Sequence, residues 1–413
     1  MFHVNQDELL NPDKALEIIL DSVPTLETEV VELAESLGRA LAEDIIADSD
    51  LPPFDNSTMD GYAVIAADTT GATEHEPRRL TVLSEEPAGT VISEKVTPRT
   101  AVRIMTGAAI PTGADAVVIV EHTITPQDRE SDVLIYHEVK RGENTRPAGE
   151  DVKRGEVVLR AGARIGPAEM GMLASLGKAK IRVTRKPRVA LITTGNEIVD
   201  VNDIPGPGQI RDSNRYCVLG QVLVSGGMVS MFRRVSDKSG DMEQALLAAA
   251  EVSDIIITTG GVSVGRYDLV KDAITELGEL YFWKIALKPG KPVVYAKIAG
   301  KPAFGLPGNP VSSMVTFDLF VRPAMLRMMG VRDINRATVP SIVQQNIKHE
   351  VGRREFVRAV TIWRENGYIS TPTGSQGSGR LSSMLGANSY IIISEDRGNI
   401  SAGEQLEVIL WSP

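Results

Sequence analysis

A single cysteine, Cys217, among 413 residues leaves no intrachain disulfide possible and fits a reducing compartment. Histidine is also scarce. Its five positions (His3, His75, His122, His137 and His349) are scattered, and neither HExxH nor CxxC occurs, so a histidine-based metal site is not expected. No run approaches 18 consecutive apolar residues, the length read as a membrane span. The opening MFHVNQDELL has no cationic start followed by an apolar run, so no secretory leader is expected. An excess of positive charge is missing too. Net charge is −10 and the sequence pI about 5.2, whereas a chain gripping nucleic-acid backbone carries the opposite sign. These absences leave a cytoplasmic protein with small-molecule substrates, no nucleic acid and no membrane.

What is present is the composition of an ordinary globular protein, 42% hydrophobic and 24% charged. At this length two to four domains are expected. Asn11-Pro12 caps and opens a helix over Ala15, Ile18, Ile19 and Val23, and a second helix is expected to end at Gly38. Residues 51–142 are rich in Val, Ile, Thr, Pro and Gly in short pieces and read as an inserted β-rich domain. Residues 143–185 return to the first unit, with Pro167 at a helix start and Gly177 past its end. The N-terminal domain is thus discontinuous, 1–50 and 143–185.

Residues 186–330 read as α/β. Buried strands at Val189–Thr193, Met228–Val235, Asp254–Thr259 and Ala303–Leu306 alternate with helices at Asn214–Val224 and Asp241–Val252. Such alternation makes parallel βαβ units, whose ligands sit beyond the carboxyl ends of the strands. From 331 to 413 a period-2 pattern returns (REFVRAVTIW, SYIIIS, EQLEVIL), which predicts a small barrel or sandwich.

Three groups of loops could carry chemistry. TTGGVSVGRYD (258–268) follows an apolar strand and is either a tight turn or an anion-cradling loop; it is not a Walker A loop. KIALKPGKP places Lys284, Lys288 and Lys291 around a Pro-Gly turn. Five lysines and no Asp or Glu lie between Leu280 and Phe317, a basic island in an acidic chain. PGNPVSS (307–313) adds a turn into a helix start, with Ser312 offering a hydroxyl, and helix starts attract anions. Third, Glu197, Asp237 and Asp268 fall at strand ends and, with Asp60, could bind Mg²⁺. Opposite unit charges about 4 Å apart attract by about 4 kcal/mol at an effective dielectric near 20. A working site must therefore hold its lysines and acids apart, with a phosphate or oxyanion between. No Ser/His/Asp arrangement is readable, and Cys217 reads as packing.

NSTMDGYAV, RIMTGAAIP, RPAGED, TTGNE, TTGGVSVGRYD, WKIALKPGKP, GLPGNPVS, REFVR and SQGS, in this order, resemble the molybdopterin molybdenumtransferase family, MoeA, to which the gephyrin E domain belongs. The resemblance implies an L-shaped homodimer with an elongated discontinuous N-terminal domain, the inserted β-rich domain, a central three-layer α/β domain like the molybdopterin adenylyltransferase, and a C-terminal β-barrel. It implies a Mg²⁺-assisted reaction of adenylylated molybdopterin with molybdate that releases AMP. It also points to the molybdopterin adenylyltransferase and other proteins of the cofactor pathway as partners.

Carried over by motif, Lys288, Lys291, Pro292, Ser312 and Ser378 fall on the molybdate site, with Arg354 as its arginine and Arg358 the alternative. Glu197, Asp237 and Asp268 fall on the metal positions. Thr194, Gly195, Gly260, Gly261, Ser263, Gly265, Pro307 and Pro310, with Asp237, Thr106 and Asp151, fall on the nucleotide and pterin positions. Asp60, Glu197, Asp268, Lys284 and Lys288 make the catalytic set, and the resemblance brings Asp60, Thr106 and Asp151 from a partner subunit. Two departures stand out: Asn196 where many members have Asp, and Pro147-Ala148 beside Arg146 where some carry more arginines. The rival readings are nucleotide pyrophosphate hydrolysis or adenylyl transfer on the same α/β domain, or a gephyrin-like scaffold.

Overall fold

The computed structural model describes residues 9–86, 89, 94–236, 240–262 and 269–411. The chain divides into two compact units: Met1–Ala42 with Gly162–Ile165 and Ile181–Pro413, and Glu43–Ala161 with Gly166–Lys180.

The larger unit is built on a six-stranded sheet. Its elements in chain order are helix α1 (Pro12–Ser22), strand β1 (Arg188–Thr194), helix α2 (Ser213–Val224), strand β2 (Met228–Val235), helix α3 (Asp241–Val252), strand β3 (Ile255–Thr259), helix α4 (Leu269–Leu277), strands β4 (Gly278–Lys284), β5 (Pro292–Ile298) and β6 (Lys301–Leu306), and helix α5 (Pro310–Thr316). The strand order is β2-β1-β3-β6-β5-β4. The first four strands are parallel; β5 and β4 are added antiparallel. Side chains alternate across the pleat, so both faces must be covered. Val189, Leu191, Ile255, Ile257, Tyr295 and Phe304 face a core shared with α1, α2 and Phe317–Val321. Ala190, Ile192, Ile256, Val294 and Ala296 face Leu246 of α3 and Ile274 of α4. Met242, Ala245, Leu246 and Ala249 supply the buried stripe of α3 at helical spacing. Asn11 caps α1, its side chain accepting from the Asp13 and Lys14 amides, with Pro12 in the first turn.

The rest of the larger unit includes a barrel. Strands β7 (Thr338–Val343), β8 (Arg354–Arg364), β9 (Gly367–Pro372), β10 (Ser389–Ile393) and β11 (Gln405–Leu410) pair in the order β8-β9-β7-β11-β10, and β10 pairs back to β8. Five strands thus close into a barrel. Leu287–Lys288 joins β8 from outside as a short parallel strand.

The helix expected to end at Gly38 does not form. Thr28–Glu32 is a strand, and Leu33–Glu35 only a single 3₁₀ turn. The run Thr28-Glu29-Val30-Val31 is rich in β-branched residues, and the strand pairs with Lys180–Thr184.

The smaller unit carries a six-stranded sheet in the order Ala116–Ile119, Gly61–Val64, Thr100–Ile104, Arg78–Glu86, Asp132–Ile135, Thr123–Ile124. Tyr62, Val64, Leu80, Ala101, Val118, Val133 and Ile135 form its core. Within the same unit, Asn56–Ser57 pairs with Thr145–Arg146 and Ile45–Ile46 with Val157–Leu159. No helix of the described residues is long and apolar enough to cross a membrane.

Candidate active site

Strands β1, β3 and β6 end side by side: Thr193 is registered with Thr259, and Thr259 with Leu306. The three loops that leave them, from Gly195, Gly260 and Pro307, border a cleft of about 1100 Å³. The start of α2 (Asp212, Ser213, Asn214), the Lys291-Pro292 turn, and Gly379 with Leu381 make its other walls. A crevice beyond the carboxyl ends of parallel strands is where open α/β sheets bind ligands.

The floor is backbone against backbone. Gly260 and Gly261 have φ of 86° and 65°, the left-handed region that L side chains avoid. A Cβ on Gly260 would lie 2.6 Å from the Thr194 carbonyl oxygen. The Gly260 amide is not offered to a ligand, because it donates to the Leu306 carbonyl at 3.2 Å.

Side-chain amides knit the walls. Asn214 Nδ2 donates to the Gly308 carbonyl at 2.7 Å, which ties α2 to the Pro-Gly-Asn-Pro turn. Its Oδ1 is buried and has no hydrogen-bond partner among the described residues. Asn309 Nδ2 donates to Ser378 Oγ at 3.0 Å, and the Val311 amide to the Ser378 carbonyl at 3.2 Å. The loop after β9 is thereby fixed onto the same turn. Asp212 is spent on capping α2, accepting from the Arg215 amide at 3.0 Å. Lys291 and Glu197 both line the cleft, and neither makes a side-chain ion pair among the described residues. One wall thus offers an ammonium and another a carboxylate, and the two are not joined to each other.

The comparisons with known proteins agree along the whole chain. Residues 10–177 match the MoeA N-terminal region (domain I and II), 190–327 the "Probable molybdopterin binding domain", and 341–411 the MoeA C-terminal region (domain IV). The molybdopterin molybdenumtransferase of Haemophilus influenzae is 38% identical over 97% of this chain and 98% of its own length. That of Bacillus subtilis is 36% identical over 93% and 90%. The crystal structure of the molybdopterin biosynthesis MoeA protein of Pyrococcus horikoshii, 35% identical, superposes with a TM-score of 0.84, covering 98% of this chain and all of that one. The chain belongs to the molybdopterin molybdenumtransferase family, MoeA.

Of the positions carried over from the MoeA motifs, the cleft gathers Thr194, Gly195, Glu197, Gly260, Gly261, Lys291, Pro292, Pro307 and Pro310, with Ser378 hydrogen-bonded to its wall. Asp237, Ser263, Gly265 and Asp268 lie outside the described residues. Lys284, Lys288, Ser312 and Arg354, all expected at this site, are not among the residues that line the cleft. Lys284 lays its Nζ 3.6 Å from the centre of the Trp283 ring. Lys288 points its Nζ at Glu355 Oε2, 3.0 Å away. Ser312 is buried in the first turn of α5. Arg354 is held by Asp13 (2.7 and 2.8 Å) and Glu395 (3.0 Å), which hold its pKa above the ordinary value against burial, and it borders a different hollow.

The alternative arginine contacts the loop that carries Ser378. Arg358 is 1% exposed, and its Nη2 donates at 3.3 Å to the carbonyl of Gly377, the residue before Ser378. Burial lowers its pKa, opposed by Tyr390 and Glu355.

In the smaller unit, Asp60 and Thr106 do meet: Asp60 Oδ1 accepts from the Thr106 amide at 2.7 Å and its hydroxyl at 2.8 Å. The Thr106 amide and hydroxyl hold the Asp60 carboxyl below its ordinary range. Asp151 is exposed, and Arg146 pairs with Glu150 at 2.8 Å. Sequence reasoning missed Asn214, Asn309 and Asp212. Asn214 and Asn309 sit at helix starts, where a short amide reads as a cap and not as a wall.

Proposed function

We propose that this MoeA-family chain inserts molybdenum into molybdopterin during molybdenum cofactor biosynthesis, using the cleft beyond β1, β3 and β6. The observation that carries the reading is that an ammonium, Lys291, and a carboxylate, Glu197, neither in an ion pair among the described residues, line one cleft of the region that matches the molybdopterin-binding model. Molybdate is a tetrahedral dianion, and an ammonium with hydroxyls and backbone donors suits it as it suits phosphate. Adenylylated molybdopterin is the co-substrate. Attack of an oxygen nucleophile on the adenylyl phosphorus breaks the phosphoanhydride bond: the phosphate of molybdopterin is the leaving group, and the new oxygen stays on AMP.

Mg²⁺ belongs to the same proposal. Among the described residues no group of three His, Cys, Asp or Glu side chains could hold a metal ion. Glu197 fits as a ligand because its carboxylate is exposed on the cleft and in no ion pair among the described residues, whereas Asp212 is engaged in capping α2. Bound there, Mg²⁺ would neutralise charge on the phosphates. The same reading takes the chain to act as a homodimer, as the family resemblance implies, and in the cytoplasm, the reducing compartment that its single cysteine fits.

The decisive assay is AMP release from adenylylated molybdopterin with and without molybdate, across a Mg²⁺ titration. Release should depend on both. Full turnover without molybdate would mean that the chain is a nucleotide pyrophosphate hydrolase.

A further inference from the structure

Lys288 stands on the Lys-Pro-Gly-Lys-Pro turn, but its ammonium is already engaged. Its Nζ lies 3.0 Å from Oε2 of Glu355, a β8 residue that is 3% exposed. The same oxygen meets Nδ1 of His349 at 2.8 Å. The His349 side chain is wholly buried, and its Nε2 has no hydrogen-bond partner among the described residues. A proton on Nε2 would be buried without an acceptor among the described residues, which favours donation from Nδ1 to Glu355. Arg358, behind the Ser378 loop, feels the same carboxylate.

A buried carboxylate persists only while it is paired. Any oxyanion that draws on Lys288 must displace Glu355 or share the ammonium with it. We propose that Glu355, kept in place by His349, is a built-in competitor for Lys288. It holds the lysine against the barrel while no oxyanion is bound. It also weakens oxyanion binding by like-charge repulsion, so that the ammonium returns to Glu355 once the oxyanion has been consumed. Both residues act through Lys288 and are positioning residues. The inference rests on the reading of Lys288 as an oxyanion ligand.

Because Lys288 and His349 share one oxygen, the amide oxygen of Glu355→Gln can accept both hydrogen bonds while the charge is gone. In the full chain, the molybdate KM of this variant should fall about tenfold with kcat little changed, and molybdate binding measured by equilibrium dialysis should tighten to match. His349→Phe should act in the opposite sense. Deprived of one donor, Glu355 leans harder on Lys288, and the molybdate KM rises. Packing damage would move both variants in the same direction. An unchanged or higher KM in folded Glu355→Gln protein overturns the competitor role. Lys288→Met tests the reading beneath it: an unaltered KM there removes Lys288 from the oxyanion site. A raised KM there, with no fall in Glu355→Gln, removes only Glu355.

Discussion

Lys288 and Lys291 are three residues apart on one turn, yet their surroundings give them different work. Lys291 lines the cleft without a carboxylate partner among the described residues, so a dianion can use its whole charge. A charge-assisted hydrogen bond contributes about 1.5–3 kcal/mol. Lys291→Ala should therefore raise the molybdate KM roughly ten- to a hundredfold, and an unchanged KM would exclude it from the oxyanion site. Arg354 is the contrasting case. Its guanidinium clamps Asp13 of α1 and Glu395 in a partly exposed network. Arg354→Ala should lower the melting temperature, by about 1 kcal/mol of stability, and leave the molybdate KM alone. A KM shift without a stability loss would return Arg354 to the site. From the sequence Arg354 and Arg358 of GRREFVR look equivalent. What separates them is that Asp13 lies 341 residues from Arg354 in the chain, a partner no local pattern announces.

At the scale of elements, the parallel strands are anchored at the end away from the cleft by one carboxylate. Asp254, 2% exposed at the entry to β3, accepts from Arg185 at 2.6 and 2.8 Å and from the Arg188 amide at 2.9 Å. Burial pushes its pKa up, but the bonds from Arg185 and Arg188 outweigh it and hold the carboxyl well below the usual range. Removing one member of a buried pair costs about 3–5 kcal/mol, the loss expected for Asp254→Ala in urea unfolding. Because the folded-state pKa is depressed, this contribution is complete above the ordinary Asp value of about 3.9 and disappears as pH falls below it. The variant should accordingly show a flatter acid limb in its stability profile. A limb as steep as that of the parent protein would assign the acid sensitivity elsewhere. The strands themselves were legible because buried parallel strands read as continuous apolar runs, as Val189–Ile192 does. The stretch before Gly38 was not, because its partner, Lys180–Thr184, arrives only after the whole β-rich insertion has been traversed.

For the whole molecule, the order of the motifs carried the family, while the assembly of the cleft needed the sheet order. Glu197, Lys291 and Ser378 share one site because β1, β3 and β6 are neighbours and because the loop after β9 bonds to Asn309. That bond has a counterpart in the core. Phe356, Met384 and Tyr390 of the barrel region belong to the same apolar cluster as Phe317, Phe320 and Val321 behind the sheet. Barrel and sheet therefore share this one cluster, beside a core that belongs to each alone. Calorimetry should show one cooperative transition for the larger unit, and Tyr390→Ala, at about 3–5 kcal/mol for a buried aromatic, should lower the melting of sheet and barrel together. Tryptophan probes can report this, since Trp283 lies on β4 of the sheet and Trp363 on β8 of the barrel. If the variant melts the barrel at a lower temperature while the Trp283 signal stays at that of the parent, the two are separate folding units. The Ser378 wall would then be a docked module and not part of the framework that builds the cleft.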